Sequence, residues 1–513
     1  MGKTSRKHTG HTRPRKAARA AAAKTADQGL CTMDEAIAML KTTRPTFYRW
    51  LRTGKVKGYK VGRQWRFQRD DIERFLKGQQ PRIDLPVSLA PLIAELESQL
   101  AKLGQKRKAG RSDDDPVGRA VWLMVRLAHA QGASDLHLGP HMDEQGSCAL
   151  LRHRIDGVLR TIARIDLRLL SALVERWKTL ASLNVAEKRL PQDGRILMSE
   201  AQDGLDVDIR ICTLPAAMGE SLTARLLVRD AMVFDLGRIE YSEPDRKRLI
   251  DAVRSPAGLV IINGPTGCGK TTVLYCCVSL LAGPELKTMA VEDPVEVLLP
   301  WTTQVSVGGG MTFDRAIRSI LRSDPDVVMV GEIRDAEVAN LCVQVALTGH
   351  MVLTTLHAQD SAQGLKRLVE IGVPAFVVAD ATKVVLSQRL VRNLCPHCSK
   401  AARLTAEQER LVAETAAQGG LAPAQLGKAF RRPVGCPKCG GTGYRGRNVI
   451  AEALTMGPGV AAALRENRSV DDIRRIAVKE GMTTMEADGV RKAAAGVTTL
   501  EEIRRVLALG AVS

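Results

Sequence analysis

The sequence predicts an α/β fold with a buried parallel sheet, and three stretches carry that expectation. LVIINGPTGCGKTT runs an apolar strand, Leu259 to Ile262, into a glycine-rich turn and then into the apolar helix of TTVLYCCVSLLAGP. RSDPDVVMVGEIRD holds the continuous apolar run Val327 to Val330, and TGHMVLTTLHAQDS holds Met351 to Thr355. Runs without polar alternation read as strands buried on both faces, the environment of a parallel sheet. With 513 residues, 45% of them hydrophobic, the chain has room for several cores, roughly three or four at about 150 residues per domain. No charge-free apolar run reaches the roughly 18 residues that span a bilayer, and MGKTSRKHTGHTRPRK lacks the apolar centre of a signal peptide, so the expected location is the cytoplasm.

The elements follow in chain order. Residues 1–78 carry 20 Lys plus Arg against 6 Asp plus Glu, a net +14, while the other 435 residues add only +5 to the total of +19. Residues 1–28 have no aromatic residue and almost no large apolar one, so they are expected to form a disordered basic tail that attracts polyanions without specifying which.

Residues 29–78 read as a small folded module. MDEAIAMLKTT has helical spacing at Ala36, Ile37 and Leu40 and opens on Thr32 and Asp34; a turn then leads to Pro45 and the helix PTFYRWLRTG, ended by Gly54. VKGYKVGRQWRFQ alternates around Gly62 as a β-hairpin does, and RDDIERFLKG closes the module with a helix. Residues 79–114 are expected to be a linker, with an amphipathic helix at Leu92 to Leu103.

The chemistry concentrates further on. Gly264, Gly269, Lys270 and Thr271 fit G-x-x-x-x-G-K-T between a strand and a helix, the flanks this phosphate loop requires. The loop of Gly264, Pro265, Thr266, Gly267, Cys268, Gly269, Lys270, Thr271 and Thr272 can line phosphates through its backbone N–H groups, all but Pro265 having one, with Lys270 on the β and γ groups and Thr271 on Mg²⁺. Cys268 reads as a small filler. Glu332 emerges past Val330, where a carboxylate can hold Mg²⁺ or orient water, and Glu292, Asp293 and Glu296 follow another short strand, expected to point at the same crevice. His350 and His357 bracket Met351 to Thr355, where either can sense a γ-phosphate. Four of the eleven Cys form two C-x-x-C knuckles, Cys395 with Cys398 and Cys436 with Cys439, separated by 37 residues; reduced thiols at that spacing read as tetrahedral zinc, with redox use the alternative.

In their order and spacing, GPTGCGKTT, AVEDPVE, LRSDPDVVMVGEIRD and TGHMVLTTLHAQDS resemble the Walker A, Asp box, Walker B and His box of the secretion ATPase superfamily. Upstream, ASDLHLGP, RHRIDGVL, EKRLPQDGRI, DIRICTLPAAMGES and ARLLVRD resemble the domain preceding the motor in type II secretion and type IV pilus assembly ATPases, and SQRLVRNLCPHC, GCPKCGGTGYRGR and EGMTTMEADGVRKAAAGVTTLEEI resemble their closing segments. The likeness runs from about residue 115 to the end, and its knuckles tilt it toward assembly rather than retraction. It implies a PAS-like α+β domain at 115–233, a RecA-like P-loop ATPase core at 234–394, a tetracysteine zinc segment at 395–445 and a helical segment at 446–513. It also implies ATP hydrolysis with Mg²⁺, Arg210 and Arg225 supplied to the nucleotide, Arg318 and Arg322 on the motor side, and His357 at the site. Glu296 is expected to position water and Glu332 to hold the metal, with those roles exchangeable. A hexamer working on an inner-membrane platform protein, peripheral at the inner face of the cytoplasmic membrane, is the implied assembly.

The front module instead resembles the winged helix-turn-helix of the excisionase and MerR-like family, including the wing GKVKGYKVGRQWRF. That resemblance implies a second helix in the DNA major groove, carrying Thr46, Tyr48, Arg49 and Arg52, with Lys60, Arg63 and Arg66 on phosphates. Such folds also dock proteins. Two function classes therefore stand at this point: an assembly motor for a type II secretion pseudopilus or type IV pilus, and a DNA-binding regulatory or DNA-handling ATPase. Secretion ATPases usually begin with a different domain, so the module puts the usual docking partner in question.

Overall fold

The computed structural model describes residues 30–52, 55–61, 64–76, 85, 87–105, 115–198, 205–228 and 234–507. The basic tail, Gly54, Gly62, Arg63 and much of the expected linker lie outside the described residues. The chain divides into two compact units, with the boundary after residue 231.

The first unit opens with the small module. Strand β1 (Leu30–Thr32) leads into α1 (Met33–Met39), then α2 (Arg44–Arg52), β2 (Tyr59–Val61), β3 (Gln64–Gln68) and α3 (Arg69–Leu76). Thr32 caps α1 reciprocally: its hydroxyl accepts from Glu35 N at 3.3 Å, and the Glu35 carboxylate accepts from Thr32 N at 2.7 Å. The expected hairpin β2–β3 forms, and β1 adds a third strand by pairing antiparallel with β3, a partner that three residues were too short to announce. The module has its own core of Cys31, Met33, Ala36, Phe47, Val56, Phe67 and Ile72, with Phe47 edge-on to Phe67.

Next comes α4 (Ala90–Lys102), the helix expected inside the linker. Leu92, Leu96 and Leu100 are buried in one core with α5 (Pro116–Ala130) and α6 (Leu170–Leu180), so this stretch is structural. These helices pack with an antiparallel sheet of order β6-β5-β4-β9-β8-β7. The strands are β4 (Ala133–Asp143), β5 (Gly146–Ile155), β6 (Val158–Ile165), β7 (Gln192–Met198), β8 (Val207–Ala216) and β9 (Gly219–Val228). Alternation puts Val207, Ile209 and Ile211 into the core and Arg210 on the opposite face.

The second unit is built on a seven-stranded sheet of order β12-β11-β13-β14-β10-β15-β16. Six strands are parallel: β10 (Gly258–Asn263), β11 (Thr288–Glu292), β12 (Thr302–Ser306), β13 (Val327–Val330), β14 (Met351–Leu356) and β15 (Thr382–Leu394). The long strand β16 (Tyr444–Thr455) closes the edge antiparallel to β15. Both faces are buried: Leu259 and Ile261 pack into one core, Val260 and Ile262 into the other. Helices α7 (Glu243–Val253) and α8 (Lys270–Leu281) cover the second face, and α9 (Phe313–Ile320), α10 (Ala336–Leu347) and α11 (Ser361–Glu370) cover the first. This is the predicted α/β architecture, and its register places the C-terminal ends of β10, β11, β13 and β14 along one edge.

Candidate functional site

The turn between β10 and α8 leaves the sheet at that edge. Gly264 has φ 146°, and a Cβ there would lie 2.7 Å from the Gln388 carbonyl oxygen and from Cys268 Sγ, so only glycine lets the chain turn this close to β15. Gly269, at φ 88°, caps α8, so the N-terminal turn of that helix faces the loop. The buried ammonium of Lys270 donates to the carbonyls of Gly264 at 2.8 Å and Pro265 at 3.2 Å, and burial pulls its pKa down. Thr271 and Thr272 are exposed on the first turn, whereas Cys268 is buried, matching a filler role.

Lys270 Nζ also lies 3.4 Å from His357 Nδ1, and His357 Nε2 lies 3.4 Å from Glu332 Oε2. One tautomer satisfies both contacts: Lys270 donates to Nδ1, and Nε2–H donates to the carboxylate. Burial alone would raise the Glu332 pKa, but Arg334 and His357 outweigh it and hold the carboxyl below its usual range. Arg334 binds Glu332 through Nε, reaches Asp293 at 3.0 Å and lies over the Phe313 ring. Lys270, His357, Glu332, Arg334 and Asp293 thus form one connected chain of charge along the sheet edge.

Two expectations change here. Glu292 does not face the crevice: it is buried, bonded by the Tyr275 hydroxyl and by Gln304 at 2.8 Å, and burial raises its pKa. The pleat explains this, because Glu292 shares the side of β11 that carries Ala290, which packs in the core of α8. His350 stands at the opposite end of β14 from His357, where its carbonyl accepts from Gly258 N at the start of β10 and its ring meets the Val345 carbonyl at 3.1 Å. Six strand residues, about 20 Å at 3.3 Å each, keep it from the phosphate loop. Glu296 is exposed on the loop beyond Asp293.

The remaining arginines have identifiable neighbours. Arg225 pairs with Asp135 at 3.0 Å, and Arg210 stands opposite Arg225 in the β8–β9 register. Arg318 pairs with Glu337 at 3.0 Å, and Arg322 donates to the Arg318 carbonyl at 2.9 Å.

Sequence reasoning missed several supporting residues. Asn263 donates to the Asp360 carbonyl and the Ser387 hydroxyl and accepts from Ala358 N, fixing the segment after His357. Its signal was one polar residue ending the run LVIIN. Gln388 donates to the Cys268 carbonyl at 2.8 Å and accepts from the Tyr241 hydroxyl, tying the loop to β15; nothing local in the sequence announces a pair separated by 147 residues.

The four knuckle cysteines converge as predicted, their sulfurs all within 4.8 Å of one another. Measured pairs are 3.9 Å for Cys395–Cys436, 3.9 Å for Cys398–Cys439 and 3.8 Å for Cys436–Cys439. Zinc–sulfur bonds of about 2.3 Å in a tetrahedron require sulfur–sulfur edges of about 3.8 Å. The donor set therefore fits zinc, and the spacing is far from the roughly 2.05 Å of a disulfide. Burial opposes ionisation of Cys439, but N–H groups of Cys436 and Gly443 at 3.2 and 3.1 Å help bring its thiol down to about 6.

With this geometry in hand, a sequence model described as "Type II/IV secretion system protein" matches residues 110–505. The chain belongs to that family. The type IV pilus assembly ATPase PilB of Thermus thermophilus is 39% identical over 420 residues, which cover 80% of this chain and 46% of PilB, so the chain spans about half the length of that relative. The type II secretion system protein E of Pectobacterium carotovorum subsp. carotovorum is 42% identical over 396 residues, covering 77% of this chain and 76% of the relative. The crystal structure of Legionella pneumophila ATPase DotB shares the fold, with a TM-score of 0.53 at 18% identity over 78% of this chain and 97% of DotB.

A helix-turn-helix domain model matches residues 30–80. Of the residues expected to meet DNA, Tyr48, Arg49 and Arg52 are exposed on α2, and the Thr46 hydroxyl lies 2.9 Å from that of Thr43. Lys60 is exposed on β2, while Arg66, half-buried on β3, donates to the Gln64 side chain at 2.8 Å. No helix among the described residues is long and apolar enough to cross a membrane.

Proposed function

We propose that the chain is an ATP-hydrolysing motor that powers assembly of a type II secretion pseudopilus or a type IV pilus. The observation that carries this reading is the chain of charge from Lys270 through His357, Glu332 and Arg334 to Asp293, gathered beside a phosphate loop at one end of a parallel sheet. Phosphate arriving at the loop exchanges the carbonyl partners of Lys270 for charge-assisted bonds and meets the N-terminal turn of α8. The Thr271 hydroxyl and the ionised Glu332 carboxylate are hard oxygen donors of the kind Mg²⁺ takes, and the metal would neutralise charge on the β and γ phosphates. Glu296 is the residue we assign to the attacking water, and Arg210 and Arg225 are assigned to the developing γ-phosphate charge, the task guanidinium groups perform in related chemistry.

The family relationship extends the reading to the assembly. A homo-oligomer, a hexamer, would act on a platform protein at the inner face of the cytoplasmic membrane, with zinc in the tetracysteine centre as a structural ion. The helix-turn-helix match favours a second reading, in which DNA handling is the primary role. Phosphate release by the purified full chain tests the motor: Lys270→Ala should lower Mg²⁺-dependent turnover at least about 100-fold, the scale seen when one stabilising donor is removed from a transition state. Undiminished turnover in a folded Lys270→Ala protein would remove the site assignment.

A further inference from the structure

Helix α2 meets another part of its own unit. Val185 N, in the loop following α6, donates to the carbonyl of Arg52, the last residue of α2, at 3.1 Å. A cleft of about 880 Å³ surrounds this bond, with Tyr48, Arg49 and Arg52 on one wall and Thr179, Asn184 and Ala186 on the other. Those three module residues are among the ones that the helix-turn-helix resemblance assigns to a major groove. A groove about 12 Å wide and 8.5 Å deep encloses such a helix between two phosphate backbones. A protein wall one hydrogen bond from α2 occupies the space that a backbone would need.

Arg49, Arg52 and Lys57 on the module side and Arg176, Lys188 and Glu175 on the other line this cleft. Arg176 is paired with Asp115, and Lys188 with Glu175 at 2.7 Å. The module keeps a separate core of its own, so release need not unfold it.

We propose that the groove-reading face of the module is an intramolecular docking surface for α6 and the loop after it, so that the docked arrangement and duplex DNA exclude one another. The module is then held closed in the isolated chain and opened by a competing polyanion. This holds whether or not the motor reading does.

The test uses the full chain and a fluorescent duplex of about 25 base pairs at low salt. Ala186→Trp places a neutral wedge in the cleft from an exposed loop position, so it opens the contact without adding charge that would itself attract DNA. It should bind duplex at least ten-fold more tightly than wild type, and adding Arg52→Glu should abolish the gain. Equal affinity in wild type and Ala186→Trp, or no binding by either, overturns the proposal, as does a gain that survives Arg52→Glu. Should Ala186→Trp fail to fold, the pair Arg52→Cys with Val185→Cys decides instead. Oxidation, with the bridge located by peptide mapping, should release duplex that the reduced protein holds. Failure to bridge, or equal binding in both states, overturns it.

Discussion

Lys270 has three N–H donors and three neighbours for them: the carbonyls of Gly264 and Pro265 and the Nδ1 of His357. That arrangement makes Glu332, reached through His357, the carboxylate wired most directly to the phosphate loop, while Glu296 stands exposed farther along the neighbouring loop. The two acids should therefore separate by measurement. Glu332→Gln should raise the Mg²⁺ concentration needed for half-maximal nucleotide binding about ten-fold, the loss of about 1.4 kcal/mol expected for one charged ligand. Glu296→Gln should leave Mg²⁺ affinity unchanged and lower turnover; the opposite pattern in a Mg²⁺ titration would exchange the roles. The loop, its lysine and Glu332 were legible in the sequence because phosphate binding restricts residue type at fixed spacing. The inward turn of Glu292 was less legible, since it depends on Tyr275 and Gln304 being in reach. Counting the pleat back from Glu292 to Ala290 would have found the side, though not the partners.

At the scale of elements, the tetracysteine centre is set by the longest ladder in the second unit. Strand β15 ends one residue before Cys395, and Tyr444 begins β16 shortly after Cys439, so the β15–β16 pairing brings the two knuckles together across 37 intervening residues. A four-sulfur cluster pre-positioned in this way contributes to local folding when metal is bound, by order 10 kcal/mol in small zinc domains. Metal analysis should find about one zinc per chain. Cys439→Ser should lose that zinc and open the 395–445 segment to limited proteolysis, while full zinc content in the variant would exclude the four-sulfur site. The knuckles were legible from spacing alone. The burial of α4 was not, because a leucine stripe at 92, 96 and 100 reads equally as an exposed amphipathic helix until a partner such as α5 is known.

At the scale of the whole molecule, the excess charge and the nucleotide chemistry belong to different parts of the chain. Residues 1–78 carry +14 of the net +19, whereas the phosphate loop, His357, Glu332 and the tetracysteine centre all fall in the second unit. The order of the modules was legible because each has its own punctuation: basic residues with aromatics, then the glycine loop, then paired cysteines. The docking of α2 was not, since a loop at Val185 carries no sequence sign of its partner 133 residues earlier. On the proposed function, ATP turnover at Lys270 drives assembly of an extracellular filament or pseudopilus. The most direct measurement replaces the native gene in its host with the Lys270→Ala form, at matched protein level, and quantifies surface filament and pseudopilus-dependent secretion. Loss of whichever output the host's system makes, filaments or secretion, with the protein present and folded, is the predicted result; that output at the wild-type level would contradict the motor assignment.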